Sequence, residues 1–494
     1  MTCRRRSFLV LGSLLLLWCP PSLAQTWVQQ GASIIGEQPN ENFGVSVSMP
    51  EAGTVAIGGT AYSGTGGQYC GHVQVHYWNG NAWTQKGSDI EGEGFWDQAA
   101  NVSMPDANTV AIGAQFNSDA EPPAGYVRVF TWTGSDWVQM GDDIHGEGAG
   151  DIFGNAVSMP DASTVAVGAY QNDGNGADAG HVRVFSWNGS AWVQKGEDMD
   201  GEAAGDQSGR SVSMPDANTV AIGANRNGGN GLDAGHVRVY AWDGSAWVQR
   251  GADIDGEAAG DYSGNAVSMP DAGTVAIGAS SNSGNGFGSG HVRVYSWNGT
   301  AWQQKGADIN GEGQNDNSGW SVSMSDADAL ALGTYQNEDN GTLSGEVRMY
   351  RWNGSAWVQW GQDINGEEEW EFSGWAVSLP DSNTVAIAST GPTDTPGHVR
   401  IFRSGSLVSV PEVSLEHRVD VYPNPFHDDV TIDLGTIQRS LHVIVRNALG
   451  QVVVNETRTG TQRIELTITD APGIYSVEVK WADGERACFP VIKE

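Results

Sequence analysis

Three groups of residues in this 494-residue chain have types and spacings that could do chemistry. The first is a set of polar loops, such as Asn172-Asp173-Gly174-Asn175-Gly176-Ala177-Asp178, with Gly201-Glu202-Ala203-Ala204-Gly205-Asp206 further on. Carboxylate and amide oxygens at alternate positions, with glycine letting the backbone curl, suit a hard cation such as Ca²⁺. Asp173, Asp178 and Asp206 are the candidate ligands, and calcium is the one cofactor these loops raise. The same residue types also build ordinary turns, so metal-free loops are the competing reading. The second group follows a recurring Phe-Gly or Ser-Gly pair, where one position reads Val45, Ala100, Asn155, Arg210, Asn265, Trp320 and Trp375 while its neighbours hardly change. Trp320 beside Trp375 would offer an aromatic platform to a sugar or peptide. Asn155, Arg210 and Asn265 would add polar contacts, and Trp370, in the acidic segment Glu367–Glu371, falls near the same place. Drift at a solvent-facing position explains that variation equally well. The third group is histidine: His72, His181, His236, His291 and His398 are symmetric copies, whereas an active site needs different groups converging once. No nucleophile elbow, HExxH or CxxC accompanies them, so no catalytic residue is assigned. A pair of loop carboxylates is the remaining route to acid–base chemistry.

These residues are positioned by a repeat. Pro50, Pro105, Pro160, Pro215, Pro270 and Pro380 follow one another at 55 residues, with Ser325 in the sixth slot. Seven copies at a strict period signal a solenoid, propeller or array. One unit from Gly209 reads as four strands: Arg210–Met214, Thr219–Ala224, His236–Trp242 and Ala246–Gly251. A turn at Pro215–Asn218, a long polar loop and an Asp243-Gly244 hairpin turn connect them. Four antiparallel strands per unit and no helical period predict a seven-bladed β-propeller. Trp27–Gly31 matches a fourth strand and the seventh copy lacks one, so the N-terminal strand is expected to complete the last blade and close the ring. Both long loops of each unit then lie on one face, where the variable position rings the channel mouth. Trp187, Trp192 and their copies are expected to cover blade edges. Arg183, Arg238, Arg293, Arg348 and Arg400 are expected to pair with acids of the Gly-Glu motif such as Glu202 and Glu257.

Composition agrees: 68 glycines, 20 tryptophans and 17% charged residues suit an all-β protein with tight turns. Residues 1–24 read as a secretory leader, with Arg4-Arg5-Arg6, an apolar run to Trp18, and Ser22-Leu23-Ala24 before Gln25. No other segment is apolar enough to span a membrane. Without the leader, 22 basic residues face 59 acids, a formal charge of −37. Such a field repels nucleic acid and anionic membrane and attracts cations or basic partners. Cys3 and Cys19 fall in the leader, and the remaining Cys70 and Cys488 fall in what read as different domains, so no disulfide framework is expected.

With Phe43-Gly44 or Phe153-Gly154 before the first strand and Gly113-Ala114, Gly168-Ala169, Gly223-Ala224 or Gly278-Ala279 closing the second, the unit resembles the FG-GAP repeat of integrin α-chain propellers over residues 27–404. That family often binds calcium in a D-x-D-x-D-G loop between the first two strands. Here that loop is only Pro-Asp-Ala followed by Asn, Ser or Gly, and Ser208, Ser263, Ser318 and Ser373 replace the phenylalanine. From about Val410 the period is lost. Val421-Tyr422-Pro423-Asn424-Pro425-Phe426 and Gly473-Ile474-Tyr475-Ser476-Val477-Glu478-Val479 resemble the C-terminal sorting domain of the type IX secretion system of Bacteroidetes. That resemblance implies a small β-sandwich that partners the secretion machinery and directs export to the cell surface or medium.

The expected organisation is a leader (1–24), a propeller (25–404), a linker (405–411) and a sorting β-sandwich (412–494). The expected function is a monomeric, non-catalytic binding or adhesion protein that holds a glycan, peptide or matrix ligand on its loop-rich face. The alternative is an extracellular polysaccharide hydrolase or lyase at the same mouth.

Overall fold

A computed structural model describes residues 26–117, 124–392, 394–405, 420–422, 424–427, 429–438, 440–447, 452–469, 471–481 and 486–493. The expected leader and residues 406–419, most of the expected linker, lie outside the described residues, as does Pro423 of the sorting motif. The chain divides into two compact units, with the division between Gly405 and Ser406.

The first unit is built from β-branched and small residues. Thr219–Ala224, Thr-Val-Ala-Ile-Gly-Ala, is buried over its whole length because neighbours cover both of its faces. Ser208–Asp216 pairs with it on one side and His236–Trp242 on the other, and Trp247–Gln249 completes an antiparallel sheet. A further two-residue strand, Ile254–Asp255, pairs with the start of His236–Trp242. It is too short to show a period in the sequence. The expected turns are also tighter than they read: Pro215 and Asp216 stay in the first strand. The hairpin spans Asp243–Ala246. Only Gly244 has positive φ, and Asp243 Oδ1 accepts the backbone N–H groups of Ser245 and Ala246 at 2.8 and 2.9 Å. It is an Asx-capped four-residue loop, not the two-residue Asp243-Gly244 turn that the sequence suggested.

Seven such sheets occur among the described residues, all β and without helix, and they resemble propeller blades. The first strand of each lies against the first strand of the next: Phe43–Glu51, Ala99–Asp106, Ala156–Asp161, Ser208–Asp216, Ser263–Asp271, Ser321–Asp326, Ser373–Asp381, and Phe43–Glu51 again. Two belts of hydrogen bonds fix this order. In the inner belt a serine Oγ accepts the backbone N–H of the next sheet's methionine or leucine: Ser48 from Met104, Ser103 from Met159, Ser158 from Met214, Ser213 from Met269, Ser268 from Met324, Ser323 from Leu379 and Ser378 from Met49, at 2.9–3.0 Å. In the outer belt an indole N–H donates to the preceding sheet's backbone, as in Trp192 to Met140, Trp247 to Lys195 and Trp302 to Arg250. Trp27 to Trp360, at 2.9 Å, completes it.

Thr26–Gln29 pairs antiparallel with His398–Gly405, Trp27 opposite Ser404 and Gln29 opposite Phe402, so the N-terminal strand does finish the last sheet. Glycine permits the close approach of sheets: a Cβ on Gly168 would lie 2.1 Å from Gly209 O. The repeated arginines are buried and each meets the expected glutamate, Arg183 with Glu147 at 3.3 Å, Arg348 with Glu312 at 3.1 Å and Arg400 with Glu367 at 3.4 Å. Trp187 and Trp192 face each other at 5.5 Å, one of the cross-strand pairs lining the hairpin.

In the second unit Asp429–Gln438 pairs with Asp420–Tyr422 and Thr461–Thr467, and a second sheet runs Val452–Arg458, Leu441–Arg446, Gly473–Trp481, Arg486–Lys493. Val430, Ile432 and Ile464 of one share a buried cluster with Val443, Val477 and Val479 of the other.

Candidate functional site

Each first strand begins with an irregular step. Gln207 (φ 57°) and Gly209 (φ 88°) are left-handed, and the ladder slips between Ser208 and Ser211, leaving Arg210 outside the regular pairing. A bulge of this kind re-aims one side chain per sheet. The same step recurs at Tyr262-Ser263-Gly264 before Asn265 and at Phe372-Ser373-Gly374 before Trp375.

Arg210, Asn265 and Trp320 line one cavity of about 450 Å³ with Tyr170, Gln171, Gln207, Asn225, Arg226, Tyr262, Ser280 and Ser281. Asn155 braces Arg210 from the neighbouring sheet: its amide donates to Arg210 O at 3.2 Å, and Arg210 donates to Asn155 Oδ1 at 3.3 Å. The Arg210 guanidinium lies 5.3 Å from the Tyr170 ring. Burial, and next to it the like charge of Arg226, act to depress its pKa. Asn265 donates to Trp320 O at 3.3 Å. Trp375 stands beside the cavity wall: Trp320, Tyr335 and Trp375 form a triangle with centroids 4.7–5.2 Å apart. Trp370 does not line the cavity. It is 48% exposed, in a left-handed conformation, and contacts Phe372 at 6.4 Å, with Tyr335 beyond at 6.2 Å.

Eight of the eleven lining residues escaped the sequence reading. Tyr170, Asn225, Ser280 and Tyr335 occupy one repeat position, Gln171, Arg226, Ser281 and Gln336 the next, and Gln207, Tyr262, Asn317 and Phe372 the one before the Ser-Gly step. All three vary between copies as the noticed position does, and aligning the copies past the end of the second strand finds them.

The three candidate calcium ligands do not converge. Asp206 is buried, with Oδ2 accepting Ala203 N–H at 2.9 Å and Asn227 Nδ2 at 3.0 Å, while Asp173 Oδ1 accepts Asp178 N–H at 2.9 Å. The carboxylates of Asp206 and Asp173 thus serve to close their own loops. Groups whose donor atoms all lie within 4.8 Å are instead Glu147–His181–Asp198, Glu202–His236–Asp253 and Glu257–His291–Asp308 among the described residues. In each the glutamate already faces an arginine, at 3.3, 3.9 and 3.8 Å.

His72 differs in state from its copies His181, His236 and His291. Glu41 reaches His72 Nε2 at 2.6 Å while Asp89 meets Nδ1 at 2.9 Å. Burial opposes the charge, but these two carboxylates prevail and raise His72 to about 9. Where the repeat has aspartate, Asp151 and Asp206 bond to Asn172 and Asn227 instead, and His181 and His236 keep a buried Nε2 without a partner. Burial, with the adjacent arginine, holds His181 and His291 down to about 4.

Residues 420–488 match the secretion system C-terminal sorting domain family. No curated protein matches the sequence. Among solved structures the chain is similar to the β-propeller domain of the Trilobed protease from Pyrococcus furiosus (10% identity, 76% of this chain and 94% of that one, TM-score 0.44). It is also similar to the GH74 xyloglucanase from Xanthomonas campestris (14%, 84% and 60%, 0.44) and the NanB sialidase from Streptococcus pneumoniae (10%, 77% and 70%, 0.37). The chain spans about three fifths of the xyloglucanase's length. The sorting domain marks proteins that the type IX secretion system exports, and this chain is therefore a protein of the cell surface or the extracellular space.

Proposed function

We propose that residues 26–405 form a seven-bladed β-propeller, closed by its N-terminal strand, that binds a glycan at the mouth of its channel without turning it over. The C-terminal unit is a small β-sandwich that partners the type IX machinery. The observation that carries this reading is the cavity bounded by Arg210, Asn265 and Trp320, which combines aromatic faces, amides and guanidinium groups. Aromatic rings stack on the apolar faces of sugars while amides and hydroxyls satisfy their hydroxyl groups, and the volume is that of a small-ligand site. A glycoside hydrolase needs two carboxyl groups flanking the bond it cuts. No carboxylate lines this cavity, which favours binding over hydrolysis.

The test is calorimetric titration of the mature chain with a panel of oligosaccharides, beside reducing-sugar and unsaturated-product assays on the parent polysaccharides. Binding without turnover, weakened at least tenfold by Trp320→Ala, is expected. Turnover that survives purification and is lost on single acid substitutions in the loops would replace this reading with the enzyme.

A further inference from the structure

We infer that the saccharide held at this mouth is an anionic one, its sugars carrying carboxylate or sulfate groups. The inference rests on the binding reading above and adds the charge of the ligand.

Of 25 basic residues against 59 acids, the repeated arginines are committed to glutamates, as Arg183 is to Glu147 and Arg348 to Glu312. Lys195 and Lys305 donate to the carbonyls of Ala217 and Ala327 and lie over tryptophan pairs at 5.1–5.3 Å. Arg210 and Arg226 are different. They line the same cavity, no acid lines it with them, and the charged or titratable neighbours felt by Arg210 are Tyr170 and the like-charged Arg226.

Fold construction does not require either residue. Other sheets place Val45, Ala100, Asn155, Asn265 or tryptophan where Arg210 stands, and Phe116, Gln171, Ser281 or Gln336 where Arg226 stands, with the same strand pairing. Two guanidinium groups of like charge, one of them substantially buried, repel each other unless an anion bridges them. Carboxylate and sulfate present paired oxygens that match the guanidinium fork. The remaining lining completes a sugar site. Tyr170, Tyr262 and Trp320 supply ring faces, and Asn265, Ser280 and Ser281 supply partners for hydroxyls. The long-range field of the whole chain opposes an anion, but it is screened over about 8 Å at physiological salt, whereas contact with two guanidinium groups is not.

The experiment uses the mature full-length chain and three sets of size-matched oligosaccharides: uronate-containing, sulfated on a neutral backbone, and neutral. Affinities are read by calorimetry for wild type, Arg226→Gln and Arg210→Gln, with melting temperatures confirming that each variant is folded. Arg226 is exposed, so its variant isolates charge from folding. The expected result is that at least one acidic set binds ten or more times tighter than the neutral set. Arg226→Gln and Arg210→Gln should each remove most of that margin, bringing the ratio of acidic to neutral affinity to within about threefold. Preference for uronates over sulfates, or the reverse, names the anion. Acidic and neutral sets binding within twofold of each other, or acidic binding that neither arginine variant weakens, overturns the inference and leaves the glycan reading standing. If none of the three sets binds, both fall.

Discussion

Replacing Trp27 with alanine is the sharpest test of ring closure, because this residue belongs to the only sheet assembled from both ends of the 26–405 segment. Trp27 is 4% exposed and packs with Leu379, Phe402 and Trp360. Its indole N–H donates to Trp360 O at 2.9 Å and its backbone N–H to Gln362 Oε1 at 3.1 Å. Removing a buried tryptophan side chain costs about 3–5 kcal/mol. Unfolding entropy near 2.1 cal/mol/K per residue over roughly 380 residues gives about 0.8 kcal/mol/K, so the melting temperature should fall by ~4–6 °C. Val28, on the same strand but 57% exposed, is the control, and Val28→Ala should shift the midpoint by less than 1 °C. Scanning calorimetry measures the shift. Hydrogen exchange should also show protection lost first in His398–Gly405, the partner strand. If Trp27→Ala melts with Val28→Ala, or if lost protection is spread evenly over all seven sheets, the strand is not what holds the ring shut.

Other outcomes follow from the same geometry. His181 and His291 are held near 4, below the ordinary 6.5, so the unfolded chain binds their protons more readily. Stability should therefore drop as pH falls from about 6.5 toward 4, and His181→Asn with His291→Asn should flatten that limb in melting curves. His72 works in the opposite sense: raised to about 9, it stabilises the fold below 6.5. That contribution should fade as pH rises through 9, a loss that His72→Gln should abolish. Ser213→Ala strands the buried N–H of Met269 and should cost about 1–3 kcal/mol in chemical denaturation. Gly168→Ala, with a Cβ 2.1 Å from Gly209 O, should cost more than Ser213→Ala. Deleting residues 406–494 should leave the protein in the periplasm, scored by cell fractionation and immunoblot.

Much of the architecture was legible because the chain repeats it. Proline at fixed spacing, the strand residues around it and the displaced N-terminal strand all report long-range pairing through purely local text. What stayed hidden depends on side-chain reach. Asp206 looks like a metal ligand by type, yet Ala203 and Asn227 take up its carboxylate, and no composition argument says where lone pairs point. His72 has Glu41 and Gln74 near it where His181 has Asp151 and Arg183, and these differences in reach and charge accompany a histidine bonded by two carboxylates in one sheet and a buried nitrogen without a partner in the other. Ile254–Asp255 is two residues long, below what any period can reveal. In the cavity, Arg210, Asn265 and Trp320 were visible as the position where copies disagree. Arg226 and Tyr262 disagree between copies just as freely but sit in loops, where turn-forming residues mask the signal.

Thr26 faces Gly405 across the last rung of the ladder that shuts the ring. The polypeptide thus enters and leaves at one spot, and tension between those two points would part the rungs singly, like a zipper, instead of straining them all together as dragging strands lengthwise would. This seam is the mechanical weak point of a molecule otherwise joined sheet to sheet through the backbone. Joining 405 to 26 and cutting at the open hairpin tip of Gly244, where an added Cβ meets nothing within 4 Å, would relocate that weakness to another sheet while preserving the residues that line the cavity.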